Sequence, residues 1–126
     1  MNDGTALVLC VEDDLDTQDL LRVVLQDRGC RFEAVGSCAD ALVSIRGKDI
    51  SVLLLDNQLP DGSGIELCQQ VRQIDVDIPI IFLSGSAHDD ERETALKIGA
   101  NAFLTKPFEL DDLFTTLANY INIQAP

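Results

Sequence analysis

Four places in the chain put reactive side chains directly after apolar runs. Glu12-Asp13-Asp14 follows the run ending at Val11, Asp56 follows Leu55, Ser84 follows Leu83, and Lys106-Pro107 follows Leu104-Thr105. Carboxylates crowded together raise one another's pKa unless a cation neutralises them. Hard oxygen donors with no His or Cys beside them favour Mg2+, which binds through one or two carboxylates, keeps several waters and accepts phosphate oxygens. Glu12 and Asp13 would supply one side of such a site and Asp56 the other. A carboxylate can also attack phosphorus to give an aspartyl phosphate, provided metal and cations neutralise the phosphoryl oxygens. Asp56, at the tip of the most apolar run, is the candidate nucleophile. Lys106 would offer a point charge and Ser84 a hydroxyl to the same phosphoryl group.

These residues can meet only if the elements before them lie side by side. Short apolar runs alternate five times with amphipathic stretches, with no linker or low-complexity segment between them, which is the pattern of an α/β fold. Ala6 to Val11, Ile50 to Leu55 and Pro79 to Leu83 are nearly continuous apolar runs, as expected of central parallel strands covered on both faces. Arg31 to Gly36 and Ala102 to Thr105 are more polar or shorter and fit the sheet edges.

Helices are predicted over Asp14 to Arg28, Ser37 to Arg46, Ser63 to Gln73, Asp89 to Ile98 and Glu109 to Ile121. Gly29, Gly47 and Gly99 act as stops, and Ser37 with Asp40 forms a capping box. The first helix carries Leu20, Leu21, Val24 and Leu25 on its apolar stripe, the third Ile65, Leu67, Val71 and Ile74, the last Leu110, Leu113, Phe114 and Leu117. The segment Leu59-Pro60-Asp61-Gly62-Ser63-Gly64 is turn chemistry expected to hold the third helix away from Asp56. The result is (βα)5, a doubly wound parallel five-stranded sheet ordered 2-1-3-4-5, with ligands expected where strand order reverses.

Composition narrows the functions such a fold could carry. The 126 residues suffice for one domain, and 9 Lys plus Arg against 22 Asp plus Glu leave a net charge of −13. That charge repels phosphate backbones and anionic lipid, so neither direct nucleic-acid binding nor membrane binding is expected. The apolar run Thr5 to Val11 is too short to span a bilayer and Asp3 stands where a signal peptide would be basic, so the chain reads as cytoplasmic. Cys10, Cys30, Cys38 and Cys68 lack C-x-x-C spacing and read as small, half-buried hydrophobes. His88 reads as a solvated loop residue. No Gly-rich Lys-Ser/Thr loop follows the first run, which excludes a nucleoside triphosphatase, and Gly62-x-Gly64 continues to Leu67 rather than glycine, so it is no dinucleotide loop.

Val11-Glu12-Asp13-Asp14, Leu55-Asp56-Asn57-Gln58-Leu59-Pro60-Asp61-Gly62-Ser63-Gly64, Phe82-Leu83-Ser84-Gly85 and Leu104-Thr105-Lys106-Pro107-Phe108 together resemble the receiver domain of two-component response regulators, in order and spacing from about Ala6 to Ile121. The resemblance implies a flavodoxin-like fold and a phosphorelay function. Asp56 would take a phosphoryl group from the phosphohistidine of a sensor histidine kinase or a histidine phosphotransfer domain. The domain would be no enzyme in the ordinary sense, yet would catalyse its own phosphoryl transfer and autodephosphorylation. Asp13 would bind Mg2+ directly, Glu12 directly or through water, and the backbone carbonyl of Gln58 would complete the protein ligands. Ser84 and Lys106 would hold phosphoryl oxygens, and Lys106-Pro107 would be a cis peptide. Phosphorylation would draw Ser84 inward with Phe103 behind it, changing the partners of the face built from helix four, strand five and helix five. Gln58 and Ser86 would tune the lifetime of the phosphate.

Ser84 stands where threonine is more frequent in this family, and Phe103 lacks the hydroxyl of the tyrosine often found there. Two other readings compete. A phosphate-independent binding module of the same fold is disfavoured by the intact set Glu12, Asp13, Asp56, Ser84 and Lys106. A Mg2+-dependent phosphohydrolase of the haloacid-dehalogenase type needs a general acid two residues after the nucleophile, where Gln58 stands. The expectation is a single receiver domain over 1–126, free-standing or part of a longer regulator or hybrid kinase. The cognate kinase and downstream protein partner are not encoded in these motifs, and homodimerisation is left open.

Overall fold

The computed structural model describes residues 5–85 and 89–125. Five parallel strands, β1 (Leu7–Val11), β2 (Arg31–Val35), β3 (Val52–Asp56), β4 (Ile80–Ser84) and β5 (Ala102–Thr105), form one sheet in the order β2-β1-β3-β4-β5. Helices α1 (Leu15–Asp27), α2 (Cys38–Gly47), α3 (Gly64–Ile74), α4 (Asp89–Lys97) and α5 (Leu110–Ala118) connect or follow them. This is the doubly wound order expected from the sequence, with the reversal between β1 and β3, which pair directly through Val8 with Val52 to Val11 with Leu55.

The period of two along each strand builds two cores. Leu9, Val11, Leu53, Leu55, Phe82 and Phe103 face the side covered by α2, α3 and α4, where Ala41, Ile45, Leu67, Val71 and Ala95 meet them. Val8, Cys10, Val52, Leu54, Ile81 and Leu83 face α1 and α5, against Leu21, Leu25, Leu113 and Leu117. Burying each large apolar side chain stabilises the fold by about 1.5–3 kcal/mol, so strand ends that must carry polar groups are held by the layers beneath them.

Local signals account for most helix ends. Ser37 Oγ accepts from the Asp40 backbone N–H at 3.2 Å, and Ser63 Oγ from that of Glu66 at 3.1 Å. Gly29 and Gly99 adopt φ values of 85° and 117°, the left-handed region that ends α1 and α4. Three expectations are corrected. Leu20 is 50% and Ile74 40% exposed, each at the edge of its helix stripe rather than within it. The last helix stops at Ala118 instead of Ile121, because the Asn119 N–H turns back to the Thr116 carbonyl and Tyr120 and Ile121 pack on the core as a non-helical tail. All four cysteines are buried rather than half-buried.

The turn after β3 also differs from expectation. Gln58–Leu59 and Gly62–Ser63 pair as a two-residue antiparallel ladder, which returns the chain so that α3 begins against Asp56 rather than away from it. A Cβ on Gly64 would lie 2.6 Å from the Asp56 carbonyl oxygen and 2.9 Å from Asn57 Cα, so only glycine fits this approach.

Candidate functional site

Parallel strands end together, and the reversal of order between β1 and β3 leaves a crevice above them. Glu12 and Asp13 follow β1, Asp56 is the last residue of β3, Ser84 the last of β4, and Lys106 follows β5. Carboxylate oxygens of Glu12, Asp13 and Asp56 lie within 4.8 Å of one another. Asp13 is exposed, whereas the side chains of Glu12 and Asp56 are 2% and 12% exposed. Three oxygen donors with one open, solvent-facing side fit a small hard cation that keeps water in its shell.

Asp14 does not join this group. Its Oδ2 accepts from the Thr17 backbone N–H at 3.2 Å and from the Thr17 hydroxyl, capping α1. Those bonds hold its carboxyl below the usual range. The acidic triplet therefore divides its work between the rim and the helix cap.

Lys106 Nζ lies 2.6 Å from Glu12 Oε2 and 3.7 Å from Asp56 Oδ2. Burial pushes the Glu12 carboxyl up from its ordinary 4.5, the Lys106 hydrogen bond opposes that, and the Asp56 charge adds to it. For Lys106 burial alone would lower the pKa, but the Glu12 hydrogen bond and the charges of Asp56 and Glu12 outweigh it and raise the ammonium above 10.5. The two directions express one imbalance, since an ammonium facing two carboxylates is held charged while a carboxylate beside another carboxylate in a dry pocket resists ionisation. The Lys106-Pro107 peptide bond is cis, and the Lys106 N–H donates to the Ser84 carbonyl at 2.6 Å, tying the end of β5 to the end of β4. Beneath the site, burial pushes the Cys10 thiol up to about 12, so it stays a neutral thiol and offers no soft ligand.

Gln18, Asn57 and Glu91 escaped sequence reasoning as supporting residues, and the contacts of Gln58, Ser84 and Phe103 are seen only in the structure. The Gln58 backbone N–H donates to Asp56 Oδ1 at 3.3 Å and orients that carboxylate. Gln18 Nε2 donates to the Glu12 carbonyl from the first turns of α1. Asn57 Oδ1 accepts from the Ile65 N–H at 3.2 Å, and Asn57 Nδ2 donates to Glu91 Oε1 at 3.0 Å. The Ser84 hydroxyl donates to the same Glu91 oxygen. Phe103 is buried and stacks on Phe82 with centroids 6.1 Å apart and ring planes 12° apart. Asp61, outside the site, caps α2 through the Cys38 and Ala39 N–H groups at 2.8 and 3.1 Å. Ser86 and His88 lie outside the described residues.

The model of the response regulator receiver domain family matches residues 8–118. The chain belongs to that family. The receiver is 33% identical over 115 residues to an uncharacterized 14.6 kDa protein of Leptolyngbya boryana, covering 90% of this chain and 88% of that one. It is 31% identical over 110 residues to the transcriptional regulatory protein DltR of Streptococcus agalactiae, covering 87% of this chain and 49% of DltR. It thus spans about half the length of that regulator. The non-phosphorylated HemR receiver domain of Leptospira biflexa superimposes with a TM-score of 0.87 at 30% identity, over 97% of this chain and 98% of that one. The receiver therefore has the flavodoxin-like fold and is a signalling domain of two-component systems, a class whose partners are histidine kinases and phosphotransfer proteins. Among the described residues no helix is long and apolar enough to cross a membrane.

Proposed function

We propose that Asp56 is the phosphoacceptor of this receiver, and that Glu12, Asp13, Asp56 and the backbone carbonyl of Gln58 hold the Mg2+ that the transfer requires. The observation that carries the reading is the placement of the Asp56 carboxylate, at the end of the central strand β3, within 4.8 Å of the Glu12 and Asp13 oxygens and 3.7 Å from the Lys106 ammonium. A cation bound there supplies charge neutralisation and an anchor for phosphoryl oxygens.

The protein's own groups do the rest. A carboxylate oxygen of Asp56, oriented by the Gln58 N–H, attacks the phosphorus of a phosphohistidine; the new O–P bond forms as the P–N bond breaks, and the electron pair leaves with the imidazole nitrogen. Lys106 turns from Glu12 and Asp56 toward the transferred group, and the Ser84 hydroxyl donates to another of its oxygens. Phe103 responds to the displacement of Ser84, and the face built from α4, β5 and α5 changes its packing and its downstream protein partner. Water entering past the exposed Gln58 returns the acyl phosphate to aspartate, with Ser86 as the second lifetime-setting position.

Intact mass after incubation with acetyl phosphate tests this on wild type and Asp56→Asn, each with and without Mg2+. The expected result is a Mg2+-dependent gain of one phosphoryl group in wild type and none in Asp56→Asn. Labelling that persists in Asp56→Asn moves the acceptor elsewhere, and labelling indifferent to chelation removes the metal from the reaction.

A further inference from the structure

The acceptor that holds the Ser84 hydroxyl is a carboxylate from another element. Ser84 Oγ donates to Glu91 Oε1, and Glu91 lies in the first turn of α4. The same oxygen accepts from Asn57 Nδ2 at 3.0 Å, and Asn57 directly follows Asp56. Asn57 is itself anchored, its Oδ1 accepting from the Ile65 N–H of α3 at 3.2 Å. One half-buried carboxylate thus joins the end of β4, the residue after β3 and the start of α4. Otherwise α4 is loosely held, with Ala95 its one buried residue among those described.

A serine hydroxyl has one donor hydrogen, and a carboxylate accepts it far better than a neutral oxygen does. A phosphoryl group on Asp56 would present a second anionic acceptor to the same hydrogen. The two acceptors exclude each other, so the free energy of the Ser84–Glu91 bond is subtracted from that of the phosphorylated state. Serine adds to the effect, because its hydroxyl moves among rotamers more freely than that of a β-branched residue.

We propose that Glu91 is a positioning residue of this receiver: it holds the Ser84 hydroxyl away from the phosphoryl site in the unphosphorylated protein, and loss of that bond on phosphorylation loosens the first turn of α4, leaving Glu91 on Asn57 alone. The inference rests on the assignment of Asp56 as phosphoacceptor. It makes the Ser84 bond to Glu91 and a Ser84 bond to a phosphoryl group on Asp56 mutually exclusive through one hydroxyl hydrogen, without requiring the aromatic ring of Phe103 to move first.

The test uses beryllofluoride, which mimics a phosphoryl group on a carboxylate, titrated at saturating MgCl2 and followed in 1H–15N spectra. Glu91→Ala is expected to bind about tenfold more tightly than wild type, equivalent to about 1.4 kcal/mol. Glu91→Gln, which keeps shape and an acceptor but loses the charge, should fall between the two and serves if the alanine variant is poorly folded. In a Ser84→Ala background the Glu91 substitutions should change the affinity less than about twofold, a coupling that a purely structural role would not produce. Amides of the α4 first turn should shift in metal-loaded Glu91→Ala toward their positions in beryllofluoride-bound wild type. Equal or weaker binding by both Glu91 variants, or a gain that survives Ser84→Ala, overturns the inference while wild-type binding that is lost in Asp56→Asn leaves the phosphoacceptor assignment standing. No beryllofluoride binding by wild type removes both.

Discussion

The nearest partner of the Lys106 ammonium is Glu12, at 2.6 Å, and not Asp56, at 3.7 Å. Glu12 is almost wholly buried, so this contact compensates a charge that water cannot reach. The receiver keeps its cationic group on Glu12, one of the carboxylates proposed to hold Mg2+, and the proposed transfer requires it to turn from there toward the phosphoryl group.

Lys106→Ala leaves Glu12 without its cation and is expected to destabilise the metal-free protein by about 2 kcal/mol, below the range for fully buried pairs because Lys106 is 25% exposed. Asp56→Asn, which removes the longer contact but also relieves the repulsion between Asp56 and Glu12, should change stability by less than about 1 kcal/mol. Urea unfolding of the two variants at neutral pH separates them. The Lys106 contribution is fully present below 10.5 and is lost as pH rises through the raised folded value, so the two variants should converge only in strong alkali.

Mg2+ should stabilise the folded state by neutralising Glu12, Asp13 and Asp56. At ten times its dissociation constant the linkage amounts to about 1.4 kcal/mol, or a rise in Tm of roughly 4–6 °C for a domain of this size. Asp13→Asn removes a proposed ligand that is exposed and has no hydrogen bond or ion pair among the described residues, so it should abolish most of the Mg2+ shift and leave the metal-free Tm within about 1 °C. A thermal melt with and without MgCl2 reads both, and an undiminished shift in Asp13→Asn would place the cation elsewhere.

The Asp61 carboxyl is held below its ordinary 3.8, first by the Cys38 N–H and then by that of Ala39. A lowered folded pKa means stability that is present above 3.8 and lost as pH falls through the folded value. Asp61→Asn keeps an oxygen for the α2 cap but cannot titrate. Its urea midpoint should therefore fall less than that of wild type between pH 4 and pH 2.5, with similar values near pH 6; parallel profiles would deny Asp61 this role.

Gly64→Ala tests the close approach of α3 to the acceptor strand. Alanine is the better helix former by about 1 kcal/mol, but its Cβ would meet the Asp56 carbonyl oxygen at 2.6 Å, and backbone yields poorly. A net loss of about 2 kcal/mol is expected, with slower phosphorylation by acetyl phosphate because Asp56 is displaced. A more stable variant with unchanged labelling would show that the turn after β3 has slack.

Much of this receiver was legible in one dimension because it rests on local rules. Short continuous apolar runs bounded by turn residues fit strands covered on both faces, Ser37 and Ser63 cap helices through bonds spanning three residues, and each reactive residue ends or follows a strand, so the sheet order alone brings Glu12, Asp13, Asp56, Ser84 and Lys106 to one rim. What tertiary structure decided is which polar atom each residue meets, since partners far apart in sequence leave no periodic trace. Asp14 already opens the helix expected over Asp14 to Arg28, but its bonds to Thr17 are seen only in the fold, and Asp61 looks like turn chemistry until it is found capping α2, 23 residues away. Glu91 reads as one acid in an acidic first turn, and only the packing of α4 beside β4 sets it on both Ser84 and Asn57. Alternation and caps are fixed by neighbours along the chain, whereas the allocation of charge within the rim is fixed by distances that folding alone creates.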